Sequence, residues 1–172
     1  MIGAYHKCVA GTVARFDGFV AKYMGDGVLI YFGYPYAHED DAERAVRAEL
    51  VIIEAVGKLC VQEPLQVRIG VATGLVVVGD LVGSGEAEER GVVGETPNLA
   101  ARLQGIAPPN AVVIAEGTRR LLSNLFELQD LGPKDLHADA RLDGAAGKRR
   151  GEPFRGAARS QHDCPCQARR RI

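Results

Sequence analysis

Four cysteines in 172 residues (Cys8, Cys60, Cys164 and Cys166) are too scattered for a disulfide framework or a zinc-binding spacing. Long apolar runs are missing as well. Val51-Ile52-Ile53 is cut by Glu54, and Leu75 to Val78 is cut by Gly79-Asp80, so no segment reaches membrane-spanning length. Met1 to Arg15 lacks a basic region followed by an apolar stretch, which leaves no visible signal peptide. Charge of one sign is also in short supply: the net charge of −1 predicts no affinity of the whole chain for nucleic acid or an anionic membrane. These absences point to a cytoplasmic protein with no nucleic-acid partner and no membrane span. What remains is ordinary globular material, 47% hydrophobic and 25% charged, long enough for one domain with a real core.

The near-zero charge conceals a break. Residues 1–136 hold 12 basic and 18 acidic residues, a net of −6, whereas residues 137–172 hold 9 basic and 4 acidic, a net of +5. In the second segment only Leu142, Phe154 and Ile172 are large and apolar, too few to build a core. It is expected to be a disordered basic tail. Lys148-Arg149-Arg150 and Arg169-Arg170-Arg171 have the charge to grip nucleic acid, but no aromatic residues interleave with them, and a solvated tail is the better account. The folded unit is therefore expected to span 1–136.

Within that unit helical and strand periodicities alternate. Ile2, Tyr5, Val9, Thr12 and Val13 recur at helical spacing. Two β-rich runs, Phe19–Met24 and Gly27–Phe32, flank Gly25-Asp26 and predict a tight hairpin. Asp40 and Asp41 open a helix whose buried stripe is Ala42, Val46, Leu50 and Ile53. Leu65, Val67, Ile69 and Val71 alternate as in a half-buried strand, and Thr73-Gly74 turns the chain into Leu75–Val82. Gly83 to Glu89 is an acidic loop, expected to be flexible. A helix from Thr96, a strand Ala111–Ala115, a short helix from Glu116 and a strand Phe126–Leu131 complete an α+β layout. Its sheet is expected to be largely antiparallel with helices on one face.

Two places have the residue types for chemistry. Thr96-Pro97 predicts a helix start, a hydroxyl cap followed by proline at the first helical position. Asn98 and Arg102, four apart, then share one face near the positive end of that helix, which suits an anionic or phosphate-bearing ligand. A solvated face of an ordinary surface helix has the same pattern. At the hairpin tip, Asp26 between Gly25 and Gly27 presents a carboxylate without crowding, with Lys22 on the strand leading in. Such a carboxylate suits Mg²⁺, which takes few protein oxygens; equally, Gly25-Asp26-Gly27 serves simply to make the turn.

Taken together, Lys22-Tyr23-Met24-Gly25-Asp26-Gly27, Arg68-Ile69-Gly70-Val71-Ala72-Thr73-Gly74 and Gly94-Glu95-Thr96-Pro97-Asn98-Leu99-Ala100-Ala101-Arg102-Leu103 resemble the class III adenylyl/guanylyl cyclase catalytic domain. Their order and spacing are most similar to its bacterial, soluble-adenylyl-cyclase-like branch, from about Tyr5 to Leu136. The resemblance implies a ferredoxin-like α+β fold that dimerises head to tail with active sites at the interface. It implies conversion of ATP to cyclic AMP and pyrophosphate by attack of the ribose 3′-hydroxyl on the α-phosphate, assisted by Mg²⁺ or Mn²⁺. By the same resemblance Asp26 is one of two metal-binding aspartates and Lys22 reads the purine. Asn98 orients the ribose, and Arg102 stabilises charge on the phosphoryl oxygens. The partners implied are ATP and a second cyclase protomer.

The chain departs from that pattern in three places. The family's first strand, with the other metal aspartate and a phosphate loop, has no counterpart here, since Asp17 is better explained by the turn Asp17-Gly18. Gly91 stands where the purine-reading lysine usually has an acid or threonine partner. The final strand with its Leu-Lys-Gly motif is replaced by the basic tail from His137. The expectation is a fragment lacking its first strand, with a frameshift near Leu136. Two functions follow: an adenylyl cyclase domain, incomplete as it stands, or a catalytically inactive homologue acting as a nucleotide-binding or dimerising regulatory module.

Overall fold

Alternating periodicity becomes alternating elements in the computed structural model, which describes residues 2–59, 64–80, 90–134 and 166–170. Helix α1 (Ile2–Arg15) leads into the hairpin β1 (Phe19–Met24) and β2 (Gly27–Tyr31), and helix α2 (Asp41–Gly57) follows. After β3 (Arg68–Val71) come β4 (Val77–Asp80), β5 (Arg90–Val93) and α3 (Glu95–Ile106). The chain continues through β6 (Ala111–Ile114), α4 (Glu116–Arg119), β7 (Phe126–Asp130) and β8 (Cys166–Arg170). The hairpin forms a two-stranded sheet, β4 and β5 form another, and a four-stranded sheet runs β3-β6-β8-β7. Only β3 and β6 pair in parallel; every other described pair is antiparallel. The α+β, mostly antiparallel expectation is borne out. Among the described residues no helix is long and apolar enough to cross a membrane.

The core explains the layering. Val112 and Ile114 on β6 meet Val46 of α2 and Phe126 of β7, with Leu50, Ile53, Ile69 and Leu128 packed around them. Val113, between them in sequence, meets Leu103 and Ala107 at and just beyond the end of α3. Successive residues of a strand point to opposite faces, so α2 and α3 cover opposite faces of β6. Helices on a single face were expected, and here the expectation fails. The reason lies in Ala111-Val112-Val113-Ile114, an unbroken apolar run suited to burial on both sides; Val112, Val113 and Ile114 have no exposed surface. Burying each such side chain contributes about 1.5–3 kcal/mol.

Helix α2 buries a second flank against α1, where Ile52 and Val56 join Val9 and Val13, and the hairpin's Val20, Val28 and Ile30 pack on that cluster. The stripe expected on α2 is thus half of what it buries. Of the residues at helical spacing in α1, Val9, Thr12 and Val13 are buried and Ile2 is exposed. The turn at Asp17 is as expected: it has the left-handed φ of 57°, and its carboxylate pairs with Arg44.

The tail expectation changes for five residues. Cys166–Arg170 is a strand, β8, inserted antiparallel between β6 and β7. Strand pairing satisfies backbone groups that β6 and β7 would otherwise expose, and it requires little apolar content. The rest of the tail, including Lys148-Arg149-Arg150, lies outside the described residues, as does the loop Gly83 to Glu89.

Candidate active site

The hairpin tip is built by a two-residue turn. Gly25 has φ +63°, a left-handed conformation that glycine adopts without steric cost, and Asp26 follows it before β2 begins. Register slips between Val20 and Lys22, so Ala21 is an extra residue and Lys22 faces Leu29. Such a bulge re-aims the side chains beyond it. Lys22, Tyr23, Met24, Gly25 and Asp26 are all exposed.

Helix α1 braces the tip. The Nε2 of His6 lies 3.2 Å from the Gly25 carbonyl oxygen, and the His6 ring stacks on Tyr23 at 4.4 Å between centroids. Beside them the Tyr5 hydroxyl is pushed up in pKa, first by burial and then by the carboxylates of Glu49 and Asp26. Asp26 therefore sits close enough to α1 for its charge to be felt there. Neither His6 nor Tyr23 was singled out from the sequence; their signal, two aromatic rings meeting across elements, exists only in three dimensions.

Helix α3 starts two residues earlier than the cap at Thr96 predicts, at Glu95 rather than Pro97. Gly94 occupies the capping position without a side-chain cap, so Thr96 falls inside the first turn. Instead of capping, Thr96 Oγ1 donates to the Leu75 carbonyl oxygen at 3.3 Å, tying the helix start to the chain leaving β3. Pro97 is tolerated there because amides of the first turn have no intrahelical partner to lose.

At about 100° per residue, Thr96, Ala100, Leu103 and Gln104 occupy an arc of about 100°, while Asn98 and Arg102 lie about 200° and 240° round from Thr96. The first set packs inward: Leu103 is buried, and Ala100 and Gln104 lie against Gly70 of β3. Asn98 is exposed and Arg102 half-buried on the opposite side. Lys22 and Asp26 belong to the hairpin sheet, Asn98 and Arg102 to a helix on the other side of the four-stranded sheet. Among the described residues no hydrogen bond or ion pair joins the two pairs. The structure brings the members of each pair onto one element and leaves the pairs apart.

Among the described residues no hydrogen bond or ion pair engages the Asp26 carboxylate, which at an exposed turn is a donor suited to a hard cation that completes its shell with water and phosphate. The described residues contain no group of three or more acidic, histidine or cysteine side chains placed to hold a metal by themselves. Asp17, the nearest earlier acid, is engaged by Arg44, which also donates to Asp40 at 2.7 Å and draws that carboxyl below its usual pKa range. Gly91 lies in β5 opposite Gly79 and offers no side chain.

Residues 2–149 match the family described as adenylate and guanylate cyclase catalytic domain. The chain belongs to this family. The cyclase domain is 36% identical over 140 residues to the uncharacterized protein R02095 of Rhizobium meliloti (strain 1021), covering 79% of this chain and 13% of that protein. It is 30% identical over 112 residues to adenylate cyclase 1 of the same organism, covering 62% of this chain and 17% of that one. The chain thus spans less than a fifth of each of these relatives. Among solved structures it is similar to the guanylate cyclase domain of RhGC from Catenaria anguillulae in complex with GTP. That likeness has a TM-score of 0.79 at 20% identity, covering 99% of this chain and 82% of that one. The cyclase fold expected from the motifs is the one observed.

Proposed function

We propose that this cyclase domain converts ATP to cyclic AMP and pyrophosphate at a site shared with a second cyclase protomer. The observation that carries the proposal is the placement of Asn98 and Arg102 on the outward side of α3, away from Asp26 in the same chain; one protomer would contribute Asp26 and the other Lys22, Asn98 and Arg102. A twofold, head-to-tail pairing would bring the hairpin of one protomer to the α3 of its partner. Exposed apolar side chains beside α3 support such docking: Leu75 is 98% and Val77 71% exposed.

In this reading the ribose 3′-hydroxyl gives up its proton to solvent, its oxygen bonds to the α-phosphorus, the bond from that phosphorus to the β-phosphate's bridging oxygen breaks, and pyrophosphate leaves. Asn98 donates and accepts hydrogen bonds that orient the ribose. Arg102 places a permanent cation where negative charge builds on the phosphoryl oxygens. The Lys22 ammonium donates to the adenine N1, an acceptor, whereas N1 of guanine carries a proton. This favours ATP, as does the likeness to an adenylate cyclase. Asp26 would hold Mg²⁺ or Mn²⁺ together with phosphate oxygens, and the bound ion supplies neutralisation of the triphosphate and activation of the hydroxyl.

The test is cyclic AMP formation from ATP and Mn²⁺ by the purified chain, alone and mixed with an intact homologous cyclase domain. Product from either arrangement that disappears with Arg102→Ala supports the proposal. Nucleotide binding or pairing without product in both arrangements would favour the inactive regulatory module, and cyclic GMP formed from GTP in preference would overturn the substrate assignment.

A further inference from the structure

Helix α3 rests on β3 with backbone against backbone. A Cβ at Gly70 would collide with the carbonyl oxygen of Ala100 and the amide nitrogen of Gln104, and would stand 3.0 Å from the Leu103 Cβ. Both colliding atoms belong to the main chain of the helix, so no side-chain rotation relieves them. Four residues on, a Cβ at Gly74 would stand 2.5 Å from Thr96 Oγ1. Glycine inside a strand weakens it and marks a close approach by another backbone. Here two glycines on one strand and its exit meet two successive turns of one helix. Elsewhere on α3 there is room: Gly105 has nothing within 4 Å of its Cβ position.

We infer that Gly70, assisted by Gly74, is a positioning residue for the active site: the pair fixes the distance and axial rotation of α3, and through them the direction of Asn98 and Arg102. The inference deepens the proposed function and rests on it for its catalytic consequence. The geometry explains why the effect is specific. Asn98 and Arg102 project from the side of α3 opposite the seat, so outward displacement or rotation of the helix carries both side chains with it. Lys22 and Asp26 stand on the hairpin sheet, whereas the atoms nearest the Gly70 and Gly74 Cβ positions all belong to α3, so nucleotide contacts made on the hairpin stay in place.

The experiment compares Gly70→Ala with Gly105→Ala in the full chain, paired with an intact homologous cyclase domain, and follows helix orientation by residual dipolar couplings of the α3 amides. For Gly70→Ala the expected result is kcat lower by roughly 100-fold, the scale of a 1 Å misplacement, with KM for ATP nearly unchanged and the couplings of α3 altered. Gly105→Ala leaves all three as in the parent. Should Gly70→Ala fail to fold, Gly74→Ala with and without Thr96→Ala takes its place. The single variant is expected to lower kcat and the double variant to restore it, because the collision there is with the threonine side chain. Unaltered couplings and kcat in Gly70→Ala, or a loss in Gly74→Ala that Thr96→Ala does not restore, would overturn the inference. If the parent yields no product in any pairing, the proposed function fails, and the couplings alone decide whether the glycines seat the helix.

Discussion

His6 on α1 and Gly25 at the hairpin tip are joined by a contact of 3.2 Å between imidazole Nε2 and carbonyl oxygen. It links the first helix to the turn that presents Asp26, across 19 residues of chain. The Tyr23 ring lies 4.4 Å from the imidazole and closes the same joint. His6→Ala removes both contacts. Expected losses are about 1 kcal/mol for the hydrogen bond and about 0.5–1.5 kcal/mol for the ring pair. Urea unfolding measures the sum, and hydrogen exchange at residues 23–27 shows whether the tip in particular loosens.

Glu49 gives the fold a pH dependence. Its side chain is buried on α2, and burial pushes its pKa up to about 8. The folded pKa lies above the unfolded value, so the native state binds one proton more between them. Stability from this group is fully present below about pH 4.5 and falls as pH rises, levelling once pH passes about 8. The total is a few kcal/mol by order of magnitude. Glu49→Gln, shaped like the protonated acid, is expected to flatten the stability profile between pH 5 and 8. An unchanged slope in urea titrations of the variant would refute the assignment.

Leu103 anchors α3 to the four-stranded sheet through Val113 and Ala115. It is 1% exposed, so Leu103→Ala leaves a cavity beneath the helix. A loss of about 2–5 kcal/mol is expected, read from the urea midpoint. Arg102, one position earlier, makes no hydrogen bond or ion pair among the described residues. Arg102→Ala should therefore leave the midpoint within about 0.5 kcal/mol of the parent while lowering kcat roughly 100- to 1,000-fold.

Local signals in the chain were enough to place the hairpin, because a two-residue turn needs a left-handed residue and Gly25 supplies it. They were enough to place Asn98 and Arg102 on one helical face, because that depends only on spacing. What they could not provide was the side of the sheet on which α3 lies. Val113 faces α3 and Val112 faces α2, and two adjacent valines carry no mark of which helix each will meet. Strand β8 was illegible for a related reason: Cys166–Arg170 is held by main-chain pairing with β6 and β7, which leaves almost no trace in residue type. Thr96 misled for a third reason. Its hydroxyl had two competing acceptor or donor partners, and the Leu75 carbonyl in space prevailed over the helix's own amides.

The account's central claim is that Arg102 of this chain completes a site whose Asp26 counterpart comes from another protomer. The direct measurement is cyclic AMP formation from ATP and Mn²⁺ after mixing this chain with a homologous cyclase domain whose own counterpart of Arg102 has been replaced by alanine. Product is expected with the parent chain and none with its Arg102→Ala variant. Equal product from both chains, or none from either while the two domains demonstrably pair, would contradict the claim.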